Sequence, residues 1–195
     1  MDKLAGINLL NYFNKMIEAN YNQNVVLINI LICSAQALKQ FHNHGIHMDI
    51  KATNFVIPHN HNLAIPLVSC KLIDFGTSII TNNNQITINQ QHFGGTLIYM
   101  APEMDNQNPP HVASRKSDIY SFGVMIYKYL YSPNDDISEL NIRLIRGYEL
   151  LDRIILGCLR ENPNDRPSAK AIYQFLKGNC HRFRYEQNML QQQIC

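Results

Sequence analysis

The sequence predicts a mainly α fold with a small β element, and three observations carry that expectation. Val25, Ile28, Ile32, Ala35, Leu38 and Phe41 recur on one helical stripe, with Leu31 and Ala37 beside it. Residues 117–131 are apolar nearly all round, the pattern of a helix buried on every side. Between them, two short apolar runs, Phe55-Val56-Ile57 and Cys70-Lys71-Leu72-Ile73, flank turn-like residues 58–62, as in a strand pair joined by a wide loop.

The remaining elements follow in order. Leu4, Ile7, Leu9, Leu10, Phe13 and Ile17 predict an amphipathic helix over 7–18, and residues 20–24 are a polar break. The second helix runs over 25–41, and Gly45 is expected to end it in a left-handed cap. Residues 77–95 are polar and irregular and predict a long loop. Ser117 is expected to cap the buried helix, which Ser132-Pro133 stops. Helices are expected over about 137–146 and 150–159, and Asn162-Pro163 ends the second of these. A last helix opens at Ser168 and stops at Gly178. No repeat or linker is visible, so residues 1–178 read as one domain followed by a polar tail, 179–195.

Composition narrows the function classes. The chain has 195 residues, 46% of them hydrophobic, enough for one domain with a sizeable core. The formal charge of +2 and the lack of a Lys/Arg run argue against nucleic acid as a partner. No apolar stretch reaches the ~18–20 residues of a membrane span. The start of the chain lacks the basic and apolar regions of a signal peptide, so a cytoplasmic location is expected. Five irregularly spaced cysteines predict reduced, mostly buried thiols. His42, His44, His47, His59 and His61 lack a carboxylate or Cys at metal-ligand spacing, so no metal reading is drawn from them.

The chemistry concentrates in two loops. In His47-Met48-Asp49-Ile50-Lys51-Ala52-Thr53-Asn54, a carboxylate is followed by a lysine and an asparagine. A second carboxylate, in Asp74-Phe75-Gly76, sits between an apolar strand and a glycine. Phosphoryl transfer needs such a set. A carboxylate orients the attacking hydroxyl, a cation offsets the transferred charge, and an amide and a carboxylate hold magnesium.

The order of motifs resembles the C-terminal lobe of eukaryotic protein kinases. The family's H-R-D-x-K-x-x-N stands here as His47 to Asn54, and its D-F-G as Asp74-Phe75-Gly76. Its G-T-x-x-Y-M-A-P-E stands as Gly95-Thr96-Leu97-Ile98-Tyr99-Met100-Ala101-Pro102-Glu103. Its D-x-(Y/W)-(S/A)-x-G stands as Asp118-Ile119-Tyr120-Ser121-Phe122-Gly123, and its D-R-P-(S/T) turn as Asp165-Arg166-Pro167-Ser168. The resemblance implies the kinase C-lobe fold, a helical bundle with a two-to-four-stranded β element carrying the two loops. It implies that Asp49 orients the substrate hydroxyl, that Lys51 offsets charge at the γ-phosphate as in the Ser/Thr-specific branch, and that Asn54 and Asp74 ligate Mg²⁺. Val56 would floor the adenine pocket, and Thr96 would bond toward Asp49 and Lys51. Asp118 would brace the turn at 47–49, and Glu103 and Arg166 would form a buried ion pair. His47 and Phe75 would pack in the core.

Two departures matter. The family's Arg before the catalytic Asp is Met48 here, so a phosphate on Thr77, Ser78, Thr81, Thr87 or Thr96 is not expected to be the on-switch. The family's N-terminal lobe cannot be placed, and residues 1–4 fall where the hinge between lobes is expected. Two function classes follow. One is a Ser/Thr protein kinase using ATP and Mg²⁺ on a protein substrate, its upper lobe supplied in trans or by upstream sequence outside this reading frame. The other is a truncated, inactive kinase mimic that binds and inhibits a full-length kinase, in an architecture that resembles truncated kinase-like proteins of some insect viruses. For such a viral protein the location would be the host cytoplasm.

Overall fold

The computed structural model describes residues 6–58, 61–62, 64–89, 94–104, 110–130 and 149–186. The expected helix at 137–146 and the expected hinge at 1–4 lie outside them.

Helix α1 (Leu9–Glu18) begins when the Asn8 side chain accepts from the Asn11 amide at 2.9 Å. It starts two residues later than the apolar spacing suggests, because Ile7 and Asn8 are spent on extended pairing. The Ile57 amide donates to the Ile7 carbonyl at 3.0 Å, and Asn8 bridges Val56. Helix α2 (Gln23–Phe41) starts inside the polar break, where the Asn22 side chain accepts from the amides of Asn24 and Val25. Its buried face runs through Leu27, Ile30, Leu31, Ser34 and Leu38, while Val25, first on the expected stripe, is 56% exposed. A helix apolar almost all round has no single stripe, and α2 is packed by α1, α5 and strand β3 together. By length and composition α2 alone among the described helices suffices to cross a bilayer, against the expectation of no such stretch. Half of that apolar window is buried inside the domain.

Gly45 does not form the left-handed cap. The helix ends at His42 in right-handed geometry, and Gly45 enters strand β1 (Gly45–Ile46). A Cβ at Gly45 would run into the carbonyl oxygen of Ile79 on the neighbouring strand, so close strand approach explains the glycine. Strand β2 (Phe55–Val56) pairs antiparallel with β3 (Lys71–Leu72), Phe55 opposite Leu72. The segment expected to be irregular contains β4 (Ile79–Ile80), paired with β1, and β5 (Gln85–Ile88), paired with β6 (His111–Ser114). Their partners lie far away in sequence, so no local pattern marks them.

Helix α3 (Arg115–Leu130) is capped by Ser114, not Ser117: the Ser114 hydroxyl accepts from the amides of Lys116 and Ser117. Ile119, Phe122, Val124, Met125 and Ile126 place it in the core. A Cβ at Gly123 would lie 2.5 Å from the Cys158 Cβ of α4 (Glu149–Cys158), so the glycine lets the two helices close. Ser168 caps α5 (Ala169–Leu176) by accepting from the Ala171 amide, and Gly178 ends it at φ +71°. The first residues after α5 join the core. Phe183 is 1% exposed against Phe175, and Glu186 receives both Arg153 Nε (2.7 Å) and Nη2 (2.9 Å). Cys33, Cys70 and Cys158 are free, but Cys180 is disulfide-bonded, so the expectation of thiols throughout fails there.

Candidate active site

The loop at 47–54 hangs from α3 by one carboxylate. Asp118 is 1% exposed; its Oδ2 accepts from the His47 amide and its Oδ1 from the Met48 amide, both at 2.8 Å. His42 Nε2 lies 3.0 Å from the same Oδ2. These bonds hold Met48 at φ +67°, a left-handed conformation that costs a non-glycine residue about 1–2 kcal/mol. Gly95, at φ +129°, passes so close that a Cβ there would sit 2.7 Å from the Met48 carbonyl oxygen.

Asp49 follows the strained residue and is 8% exposed. Its Oδ1 accepts from the Thr96 hydroxyl at 2.7 Å, and its Oδ2 meets Lys51 Nζ at 2.7 Å and Asn54 Nδ2 at 2.8 Å. Lys51 Nζ also donates to Thr96 Oγ1 at 2.9 Å, closing a triangle of carboxylate, hydroxyl and ammonium. Burial pushes the Asp49 carboxyl up, but the bonds from Lys51, Thr96 and Asn54 and the Lys51 charge outweigh it and hold the pKa below the ordinary value. Asp49 is therefore ionised at neutral pH.

His47 ties this loop to the second one. Its buried ring has a pKa below the ordinary histidine value because burial outweighs the charges of Asp118, Asp49 and Asp74. As a neutral ring it donates from Nε2 to the Ile73 carbonyl at 3.0 Å and accepts the Asp49 amide at Nδ1, 3.3 Å away. The Ile73 amide donates to the Asn54 carbonyl at 2.8 Å, so the residue before Asp74 is stitched to both ends of the first loop. Asn54 Nδ2 also donates to the Asp49 carbonyl, which leaves Oδ1 as its cation-ligating atom. Asp74 is exposed at φ +63°, a conformation that Asp tolerates better than most residues.

Phe75 departs from its expected place. The ring is 49% exposed, stacked on one face against Phe41 and edge-on to His47. Val56 is 5% exposed within β2, beside Gly6 and Asn8. Further off, Arg166 is 2% exposed and grips Glu103 with two bonds, 2.6 and 2.7 Å. Its other donors reach the carbonyls of Arg160, Lys116 and Glu161. Sequence reasoning missed three members of this framework. They are His42 on Asp118, Ser117 donating to Glu103 at 2.9 Å, and Tyr120, whose ring lies 5.0 Å from the Arg166 guanidinium. No pattern flags His42, because its partner is 76 residues away.

These features define a mainly α domain on the plan of a kinase's larger lobe. Residues 6–176 match the model of the protein kinase domain, and the chain belongs to that family. It is 31% identical to the probable serine/threonine-protein kinase gdt2 of Dictyostelium discoideum, over 77% of this chain and 10% of that protein. It is likewise 31% identical to the mitogen-activated protein kinase kinase kinase dlk-1 of Caenorhabditis briggsae, over 68% of this chain and 16% of the relative. The PR5-like receptor kinase of Arabidopsis thaliana is 26% identical over 91% of this chain and 31% of its own length. The chain thus spans less than a third of each of these curated relatives.

Proposed function

We propose that this chain transfers the γ-phosphoryl group of ATP to a serine or threonine hydroxyl of a protein substrate, inside the cell. The observation that carries the reading is the Asp49–Lys51–Thr96 triangle. An ionised carboxylate, held by a hydroxyl and an ammonium, can orient an incoming alcohol while Lys51 faces the transferred charge. A lysine and a threonine in these positions support Ser/Thr acceptors, as do the Ser/Thr kinases among the relatives. Mg²⁺ is held in kinases by few protein oxygens together with substrate phosphates. Asn54 Oδ1 and the exposed Asp74 carboxylate fit that mode, and among the described residues there is no larger cluster of metal ligands. When bound, Mg²⁺ would neutralise the phosphate oxygens. Val56 is the candidate for adenine contact.

Phosphoryl transfer to a library of Ser- and Thr-containing peptides, measured on this chain with MgATP, tests the reading. Asp49→Asn should lower the rate at least ~10²-fold, and MgATP should raise the melting temperature of the wild type but not of Asp74→Asn. Equal rates for wild type and Asp49→Asn would sink it. The half-exposed Phe75 ring, beside the site, favours a second reading in which this lobe docks on another kinase and regulates it. In that case the lobe lowers the partner's activity, and Asp49→Asn leaves the effect intact.

A further inference from the structure

A cavity of about 410 Å³ opens where the C-terminal end of α2 meets the N-terminal ends of α3 and α5. None of residues 47–54 or 74–76 lines it. Its described wall carries four cationic side chains, Lys39, Arg115, Lys116 and Lys170, and no carboxylate. His42 also borders it but is committed to Asp118.

The four cations are incompletely matched by protein groups. Arg115 Nη1 donates to Asn84 Oδ1 at 2.8 Å, yet Arg115 Nε is buried and has no hydrogen-bond partner. Lys39 Nζ sits 5.0 Å over the Tyr173 ring, and Lys170 is exposed. Lys116 donates to the Arg166 carbonyl; burial and the charges of Arg166 and Arg184 hold its pKa below the ordinary lysine value, with Asp165 offsetting them in part. The four cations give the cavity a net positive field, to which the amino-terminal turns of α3 and α5 add and the carboxyl-terminal end of α2 is opposed. Its volume suits a small molecule. Four cations on a wall that carries no carboxylate of its own suit a ligand with several negative charges.

We propose that this cavity binds a small polyphosphate, a compact ligand with two or more phosphoryl groups. The assignment is independent of the phosphotransferase reading above. Arg115 would supply the fork that phosphate oxygens favour, with Lys39 and Lys170 as flanking point charges.

Calorimetric titration of inorganic tripolyphosphate into the 195-residue chain, in EDTA and without nucleotide, tests it. One-to-one binding is expected. The double variant Lys39→Glu/Lys170→Glu should weaken it at least ~10-fold, and Lys39→Arg/Lys170→Arg should keep it within ~3-fold. Hydrogen exchange should slow at the amides of 114–117 and 168–171 on binding. If circular dichroism shows the charge-reversed protein unfolded, Arg115→Gln takes its place, with the same direction of effect. No binding at millimolar tripolyphosphate, or equal binding by wild type and the folded charge-removing variant, overturns the proposal. Protection at 47–54 in place of the cavity amides overturns it as well. A peptide bearing two phosphoserines that binds ~10-fold more tightly than tripolyphosphate would replace the small ligand with a protein segment.

Discussion

Replacing Asp118 by Asn removes one oxygen and the charge from under the 47–54 loop, and the structure sets the cost. Asp118 uses both oxygens on backbone amides, His47 on one and Met48 on the other. An asparagine keeps one carbonyl oxygen, so whichever way the amide turns, an NH₂ group faces one of those N–H groups. His42 can adapt by changing tautomer and accepting from the new amide, which concentrates the loss on the backbone. One buried amide left unpaired costs roughly 1–3 kcal/mol, and the surviving bond loses its charge assistance, about 1 kcal/mol more. The left-handed strain at Met48 then has less to hold it. We expect a loss of about 2–4 kcal/mol, a large part of the ~5–15 kcal/mol that holds a typical domain together. Urea unfolding followed by far-UV circular dichroism measures it. A loss under about 1 kcal/mol, with the His47 and Met48 amides exchanging as slowly as in wild type, would refute the account.

Three further predictions rest on single contacts. Glu103→Gln strands the Arg166 guanidinium in the interior; because Arg166 retains three carbonyl partners, the expected loss is about 3 kcal/mol, at the lower end of values for broken buried pairs, read from the urea midpoint. Phe183→Ala removes a ring that is 1% exposed and should cost about 3–5 kcal/mol by the same measurement, whereas a tail that merely lies on the surface would lose almost nothing. His47 has a folded pKa below its unfolded value, so the folded state binds fewer protons. Its contribution to stability is complete above the unfolded pKa of about 6.5 and is lost as pH falls through the folded pKa. A pH titration followed by nitrogen-15 NMR should place the His47 midpoint below that of an unfolded histidine, and a midpoint at or above it would contradict the burial argument.

Much of the fold was legible because its signals are local. The helices at α1, α2, α4 and α5 follow from apolar spacing and from caps such as Ser168 and Gly178. The β2–β3 pair follows from two apolar runs around a turn. The strands β4 and β5 were not legible, because Ile79 and Gln85 owe their extended form to partners at Ile46 and Ser114. The cap of α3 moved from Ser117 to Ser114 for a related reason: β6 delivers the chain at Ser114, and Ser117 is needed by Glu103. Gly45 looked like a helix stop, but the backbone of a neighbouring strand decides its role.

The sequence by itself determined the family, the helical character of the domain, and which residue types face one another in the two loops. Those properties reside in residue order and local periodicity. The tertiary structure alone decided that the turn before Asp49 is strained at Met48 and that His42 shares the Asp118 carboxylate beneath it. It decided that four cations meet in a cavity that neither loop lines. Each of these joins groups that are far apart along the chain or that have no local preference for one another, and only packing of the helices around α2 and α3 brings them within bonding distance.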